Sequence, residues 1–469
     1  MANSPQPSLS PASSGSGLIA YSPERAILEL GSEFYDPVAA ADFPQTMLRF
    51  RNDRAAASIG LDRLDEAAWL AHFGRFEPLP GSLQTPLALR YHGHQFRSYN
   101  PELGDGRGFL FAQMRDGAGR LMDLGTKGSG QTPWSRFGDG RLTLKGAVRE
   151  ILATEMLEAL GVETSRTLSV IETGEALTRG DEPSPTRSAV MVRLSHGHIR
   201  IGTFQRLAYH QDAESMERLV AYALRHFYGE EPGEDGPVRL LDHVVSRTAR
   251  LAGQYMAAGF VHGVLNTDNI NVTGESFDYG PWRFAQTWDP GFTAAYFDHA
   301  GLYAFGRQPE AIYWDAMQLA VALRTLADSE PLIAVLEQFA PRYQEAVRAA
   351  MLWRLGVTPR GEAEDRALVG PLEHALRESK TPLDAFFHDA FGGTLPKSAA
   401  SDPVFDPVRD ALADYAPRKP RDHAHWQGAP CTLSIDDVEA IWAPIDQVDD
   451  WSALHAKVAQ IRALGEALR

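Results

Sequence analysis

Between His262 and Gly280 the chain carries oxygen donors at close spacing. It reads His262-Gly263-Val264-Leu265-Asn266-Thr267-Asp268-Asn269, and Asp278-Tyr279-Gly280 follows. Asn269 and Asp278 offer a carboxamide oxygen and a carboxylate. These are hard donors of the kind that hold Mg²⁺ or Mn²⁺ while the ion bridges phosphate oxygens. Asp268 is a carboxylate able to take a proton from a hydroxyl nucleophile. Val264, two residues after His262, has no atom that accepts one. The competing reading is a polar loop whose Asn and Asp side chains cap turns. The order, the spacing and the helical patterns on either side favour the metal and the base.

Four earlier segments offer cations and close backbone. In Gly104-Asp105-Gly106-Arg107-Gly108, glycines let N–H groups reach phosphate oxygens, and Arg107 adds charge; the plain alternative is a hairpin turn. Lys127, within Asp123–Gly130, ends a strand-like run and needs an orienting carboxylate. Glu150, on a helix starting near Thr143, is the natural partner, although each alone also reads as a surface residue. The loop Gln131–Arg141, with Asp139 and Gly140, lies between a strand and a helix N-terminus, where anions are favoured. Arg193 and Arg200 flank Ser195-His196-Gly197-His198 and can clamp a polyphosphate through bidentate bonds, if they are not surface residues. The pairs His92/His94 and His196/His198 read as structural rather than as a zinc site.

These residues need elements to hold them. Alternation predicts strands over 108–114, 121–126 and 189–194. Helical spacing predicts a helix over 143–160, capped by Thr143 and stopped by Gly161. Further helices are expected over 215–227, 240–258, 313–326, 331–355 and 451–468, with a loop-rich island at 261–290. A strand-rich half with one long helix, then a helical half, is the order of an α+β, bilobal protein-kinase-like fold. The expected partition is a disordered tail (1–24), an N-terminal extension packing on the body (25–79), a kinase-like N-lobe (80–205), a helical C-lobe (206–395) and a C-terminal extension (396–469). In kinases an Asp base lies two residues after the His and an Asn seven after it. His262 and Asn269 keep the second spacing, and Asp278-Tyr279-Gly280 stands for Asp-Phe-Gly. Val264 occupies the base position.

Composition narrows the partners. The 469 residues are 44% hydrophobic, enough for a large core in two or three lobes. A net charge of -16 argues against a nucleic-acid partner. No apolar run is long enough for a membrane span. One cysteine, Cys431, cannot form an internal disulfide and suits a reducing compartment. The Ser/Pro/Gly-rich start lacks a leader's pattern. A cytoplasmic location is expected.

Together the segments Tyr91–Phe96, Leu103–Gly108, Asp123–Arg141, the helix through Glu150, Arg193 to Arg200 and His262–Gly280 resemble the selenoprotein O family of pseudokinases, known in bacteria as YdiU. They follow the family's order over about residues 85–290, and the match fades beyond about 300. The resemblance implies a protein adenylyltransferase that moves AMP from ATP to Ser, Thr or Tyr hydroxyls with Mg²⁺ or Mn²⁺. The nucleotide would be flipped relative to ordinary kinases. Gly104, Gly106, Arg107, Lys127, Asp139, Gly140 and Asp278 would bind ATP. Arg193 and Arg200 would hold its terminal phosphates, and Glu150 would pair with Lys127. Asp268 would be the base, and Asn269 and Asp278 the metal ligands. A conventional phosphotransferase and a non-catalytic nucleotide-binding scaffold are the alternatives. Many family members carry a C-terminal selenocysteine or cysteine; with only Cys431, this chain cannot form an intramolecular disulfide switch.

Overall fold

Period-two alternation in the first half builds one large sheet. The computed structural model describes residues 19–180 and 182–469, so most of the tail expected over 1–24 lies outside the described residues. The strands are β1 Ser22–Glu24, β2 Tyr35–Pro37, β3 Met47–Arg51, β4 Leu87–Leu89, β5 Gly93–Gln95, β6 Ser98–Asn100, β7 Leu110–Arg115, β8 Leu121–Lys127, β9 Leu142–Thr143, β10 Arg166–Leu177 and β11 Thr186–Ser195. The sheet runs β2-β4-β7-β8-β11-β10-β3, with β1 on β7 and β9 on β11. Its pairings are antiparallel. β5 and β6 form a separate hairpin.

Two strands correct the expected boundaries. Ser22–Glu24 lies opposite Gln113–Arg115, so the tail ends before residue 22. Met47–Arg51 is a sheet strand paired with β10, so the sheet begins well before residue 80. Five residues alternating Met-Leu-Arg-Phe-Arg are too short to separate a strand from a helical turn by periodicity.

Alternation also decides which side chains face the site. Val190, Val192 and Leu194 of β11 join Trp69 and Phe73 in one apolar layer. Ala189 and Met191 join the opposite layer, around the helix Leu144–Ala159. Arg193 continues that second set. Its register partner is Gly125, and Lys127 lies opposite Met191. Lys127 and Arg193 therefore stand diagonally on one face.

The helix Leu144–Ala159 carries Glu150 and packs on β10 and β11. Thr143 caps it by accepting the Gly146 N–H (3.1 Å). The second half is helical, with Ile201–Tyr209, Ala213–Ala223, Gly236–Ala258 and Gln308–Leu323 among its elements. The segment expected as one helix over 331–355 is two, Ser329–Leu336 and Phe339–Leu355. Pro341 is the reason: it is tolerated in the first turn of a helix but not in the interior. β12 (Phe260–Val261) pairs with β13 (Arg283–Phe284) and closes the loop bearing residues 262–282.

The chain ends in the helices Ile435–Val448 and Ser452–Leu468, which pack against the Glu150 helix. Cys431, just before them, is buried, and burial pushes its thiol up to about 12. It is protonated and unreactive at neutral pH. Among the described residues, no helix is long and apolar enough to cross a membrane.

Candidate active site

One cleft of about 790 Å³ gathers residues from both halves. It is lined by Gly104, Gly106, Arg107, Lys127, Asp139, Gly140, Arg193 and Arg200 from the first, and by Asp268, Asn269 and Asp278 from the second. Glu150 is buried behind Lys127, and the two form an ion pair. The loop 262–282 is stitched to the first half by backbone bonds. Ile201 N–H donates to Ile270 O, Val272 N–H to Ile199 O and Ser165 N–H to Ser276 O. His262 is fully buried under this loop. Its Nδ1 accepts from Val264 N–H, which leaves Nε2 to donate to Phe277 O (3.1 Å).

Asp278 is the electrostatic centre. Arg193 Nη1 donates to its Oδ1 at 3.1 Å, Arg200 Nη1 to its Oδ2 at 2.9 Å, and Lys127 Nζ lies 3.5 Å from Oδ1. Burial alone would raise this carboxyl; Arg193, Lys127 and Arg200 outweigh it and hold the group well below the usual carboxylate range. Asp278 is left-handed at φ 64°, a conformation Asp tolerates better than most residues. Arg200 is 3% exposed, lies between the rings of Tyr91 and Phe277, and also donates to Asp268 O (2.9 Å) and Asp105 Oδ1 (3.2 Å).

Asp268 differs from Asp278. It is 8% exposed, and its Oδ1 accepts no hydrogen bond among the described residues. Burial pushes its carboxyl up to about 6, with Arg200 opposing the rise. Gly93 leaves room for it, because a Cβ there would lie 2.9 Å from Asp268 Oδ1. Asn269 donates its amide nitrogen to Val264 O (3.0 Å), which leaves Oδ1 as acceptor. The free oxygen of Asn269 and the ionised carboxylate of Asp278 suit a hard divalent ion. Among the described residues no group of three or more His, Cys, Asp or Glu is placed to hold a metal by itself. Any such ion here would need ligands beyond these groups, such as phosphate oxygens.

Several participants escaped the sequence reading. Asp105 lies between two glycines already singled out, yet its part is to hold Arg200 and accept the Leu89 N–H (3.1 Å). Trp134 covers Gly104, where a Cβ would lie 2.4 Å from the indole Cγ. Arg179 pairs with Asp139 (2.8 Å) on the rim, and Arg136 lines the cleft beside it. No local pattern distinguishes Arg179; only the Gln131–Arg141 loop, already noted as polar, hints at Trp134 and Arg136.

Comparison with known proteins identifies the family. The family described as protein adenylyltransferase SelO matches residues 18–403. A protein nucleotidyltransferase YdiU from Synechocystis sp. is 48% identical over 375 residues, 78% of either chain. Its namesake from Gloeobacter violaceus is 44% identical over 464 residues, 94% of either chain. That from Synechococcus elongatus is 52% identical over 337 residues, 71% of this chain and 68% of the relative. The likeness thus continues well past residue 300, where the sequence reading had it fade. The chain belongs to the SelO family of protein adenylyltransferases.

Proposed function

We propose that this chain transfers AMP from ATP to a Ser, Thr or Tyr hydroxyl of a protein on a bilobal, kinase-like scaffold. The observation that carries it is the convergence of Lys127, Arg193 and Arg200 on Asp278, beside Asp268, whose Oδ1 accepts no hydrogen bond among the described residues, in one cleft. The glycines of the 104–108 loop and Arg107 approach the nucleotide, together with Asp139 and Gly140 of the 131–141 loop, which packs on it through Thr132, Trp134 and Ser135. Arg193, Arg200 and Lys127 hold the phosphates, and Glu150 orients Lys127. Asp268 accepts the hydroxyl proton as the acceptor oxygen bonds to the α-phosphorus. The bond from that phosphorus to the bridging oxygen breaks, and pyrophosphate leaves with the electron pair. Val264 at the usual base position is tolerated because Asp268 lies nearer the displaced reaction centre. Asn269 and Asp278 would hold Mg²⁺ or Mn²⁺, which supplies charge neutralisation at the phosphates.

The test uses ATP labelled at the α or the γ position, with magnesium and a panel of protein acceptors. Protein-bound α label, lost on chelation with EDTA, is expected. Transfer of γ label instead would indicate a conventional kinase. ATP binding with neither label transferred would indicate a scaffold.

A further inference from the structure

The cleft rim beside Asp268 carries an apolar ledge that the chemistry above does not use. The β5–β6 hairpin turns through Phe96 and Arg97, at φ 50° and 63°. Two consecutive left-handed residues usually call for Asn or Gly. Here the strained turn is pinned to the loop of the base. Phe96 N–H donates to Asn266 Oδ1 (3.0 Å), and His94 N–H to Thr267 Oγ1 (2.7 Å). Gln95, the residue before the turn, lines the cleft itself. Backbone held in such a state by its surroundings is a mark of functional placement.

The turn presents Phe96 to a second exposed pair. Its ring meets Phe297 edge-on at 5.8 Å, and Phe297 meets Tyr296 at 5.1 Å. Phe96 is 37% exposed, Phe297 42% and Tyr296 79%. Aromatic rings grouped on a surface mark a contact for another molecule more often than scattered ones do. Charge completes the picture. Arg97 and Arg307 share a single carboxylate, Glu310, at 3.2 and 3.6 Å. Asp298, beside Phe297, is buried and its oxygens accept the Leu302 and Tyr303 N–H groups, so the exposed charges of the ledge are two guanidiniums and one carboxylate.

We infer that this ledge seats the acceptor segment of the protein substrate, with an apolar residue on Phe96, Tyr296 and Phe297 and an acidic residue at Arg97 and Arg307. The inference rests on the AMP-transfer reading, which requires a protein hydroxyl to reach Asp268. A chain approaching over the ledge meets Asn266, two residues from the base. A small-molecule acceptor would have no use for it.

The test separates docking from transfer. Fluorescent peptides centred on one Ser, with a single Phe moved along either flank and Glu or Lys beside it, are bound to the full chain and followed by anisotropy. One Phe position should be preferred, and Glu should outrank Lys. The double variant Tyr296→Ser/Phe297→Ser, altered only at exposed positions, should weaken that peptide about tenfold, yet leave a Ser-only peptide and a non-hydrolysable ATP analogue unchanged. Arg307→Gln should erase the preference for Glu and keep that for Phe. Absence of any preferred position, or a preference intact in the double variant, would overturn the ledge. Preferred binding without α-label transfer would count for the ledge and against AMP transfer.

Discussion

Lys127, Arg193 and Arg200 bring three positive charges to Asp278, and Glu150 and Asp105 supply the two carboxylates that complete the balance. Asp278→Asn leaves one cation without its counter-charge. Unfolding should show a loss of about 1–3 kcal/mol, and α-label transfer should fall more than about a hundredfold. With divalent ions removed by EDTA, ATP should raise the melting temperature of this variant more than that of the parent, because the polyphosphate restores the missing negative charge. Asp268→Asn should lower transfer by about 10²–10⁴ and leave the affinity for an ATP analogue nearly unchanged. His196 offers a test by pH. Burial, with Arg120 and Arg247 nearby, lowers its imidazole to about 4. Below about 6.5 the unfolded chain takes up a proton that the folded chain refuses, so stability is lost as pH falls. His196→Gln should remove about 1–2 kcal/mol of that loss between pH 6.5 and 5, read as the difference in denaturation between the two chains. At this scale Asp268, Asn269 and Asp278 stood out by order and spacing, and Lys127 as a lysine at the end of a strand-like run. Arg179 and Asp105 did not, because their partners lie 40 and 95 positions away.

The helix Leu144–Ala159 is the element on which the cleft depends, since it fixes Glu150 behind Lys127. Its start was legible in Thr143 and its length in the apolar spacing. What covers its far side was not. Arg462, on the last helix, donates to both oxygens of Glu155 at 2.8 and 2.6 Å, and Glu155 is 3% exposed. Asn52 donates to the same carboxylate at 3.2 Å. Gly465 lies against the end of this helix, where a Cβ would sit 3.2 Å from Ala159 Cα. Thr143→Ala should remove about 1 kcal/mol by loss of the cap. Arg462→Met, which leaves a buried carboxylate short of its main partner, should remove about 1–3 kcal/mol. It should also weaken ATP-analogue binding at temperatures where circular dichroism shows the chain folded. Normal binding in that variant would mean that the last helix adds stability alone.

The molecule is a sheet-bearing half and a helical half that meet over the 262–282 loop. Sequence order suggested that division, and local patterns located the glycine loop, the Lys127 strand and the loop bearing Asp268 and Asn269. The meeting itself was not written locally, because Arg200 to Asp278 and Lys127 to Asp278 are contacts over 78 and 151 residues. β3 was hidden for a similar reason: as an edge strand it is defined by its partner β10 rather than by its own five residues. The helix pair at 435–468 lies beyond the family match that ends at residue 403. Deleting residues 431–469 should uncover the apolar side of the Glu150 helix, and lowered soluble yield and melting temperature are expected in expression and thermal-shift assays. The knot of Asn52, Glu155 and Arg462 has a consequence for biosynthesis. A protein leaves the ribosome amino end first, so the residues that line the cleft emerge long before Arg462 does. Until that arginine is free of the exit tunnel, the helix behind Lys127 lacks its final restraint, and a nascent chain can hold every loop of the cleft without yet having a settled enzyme.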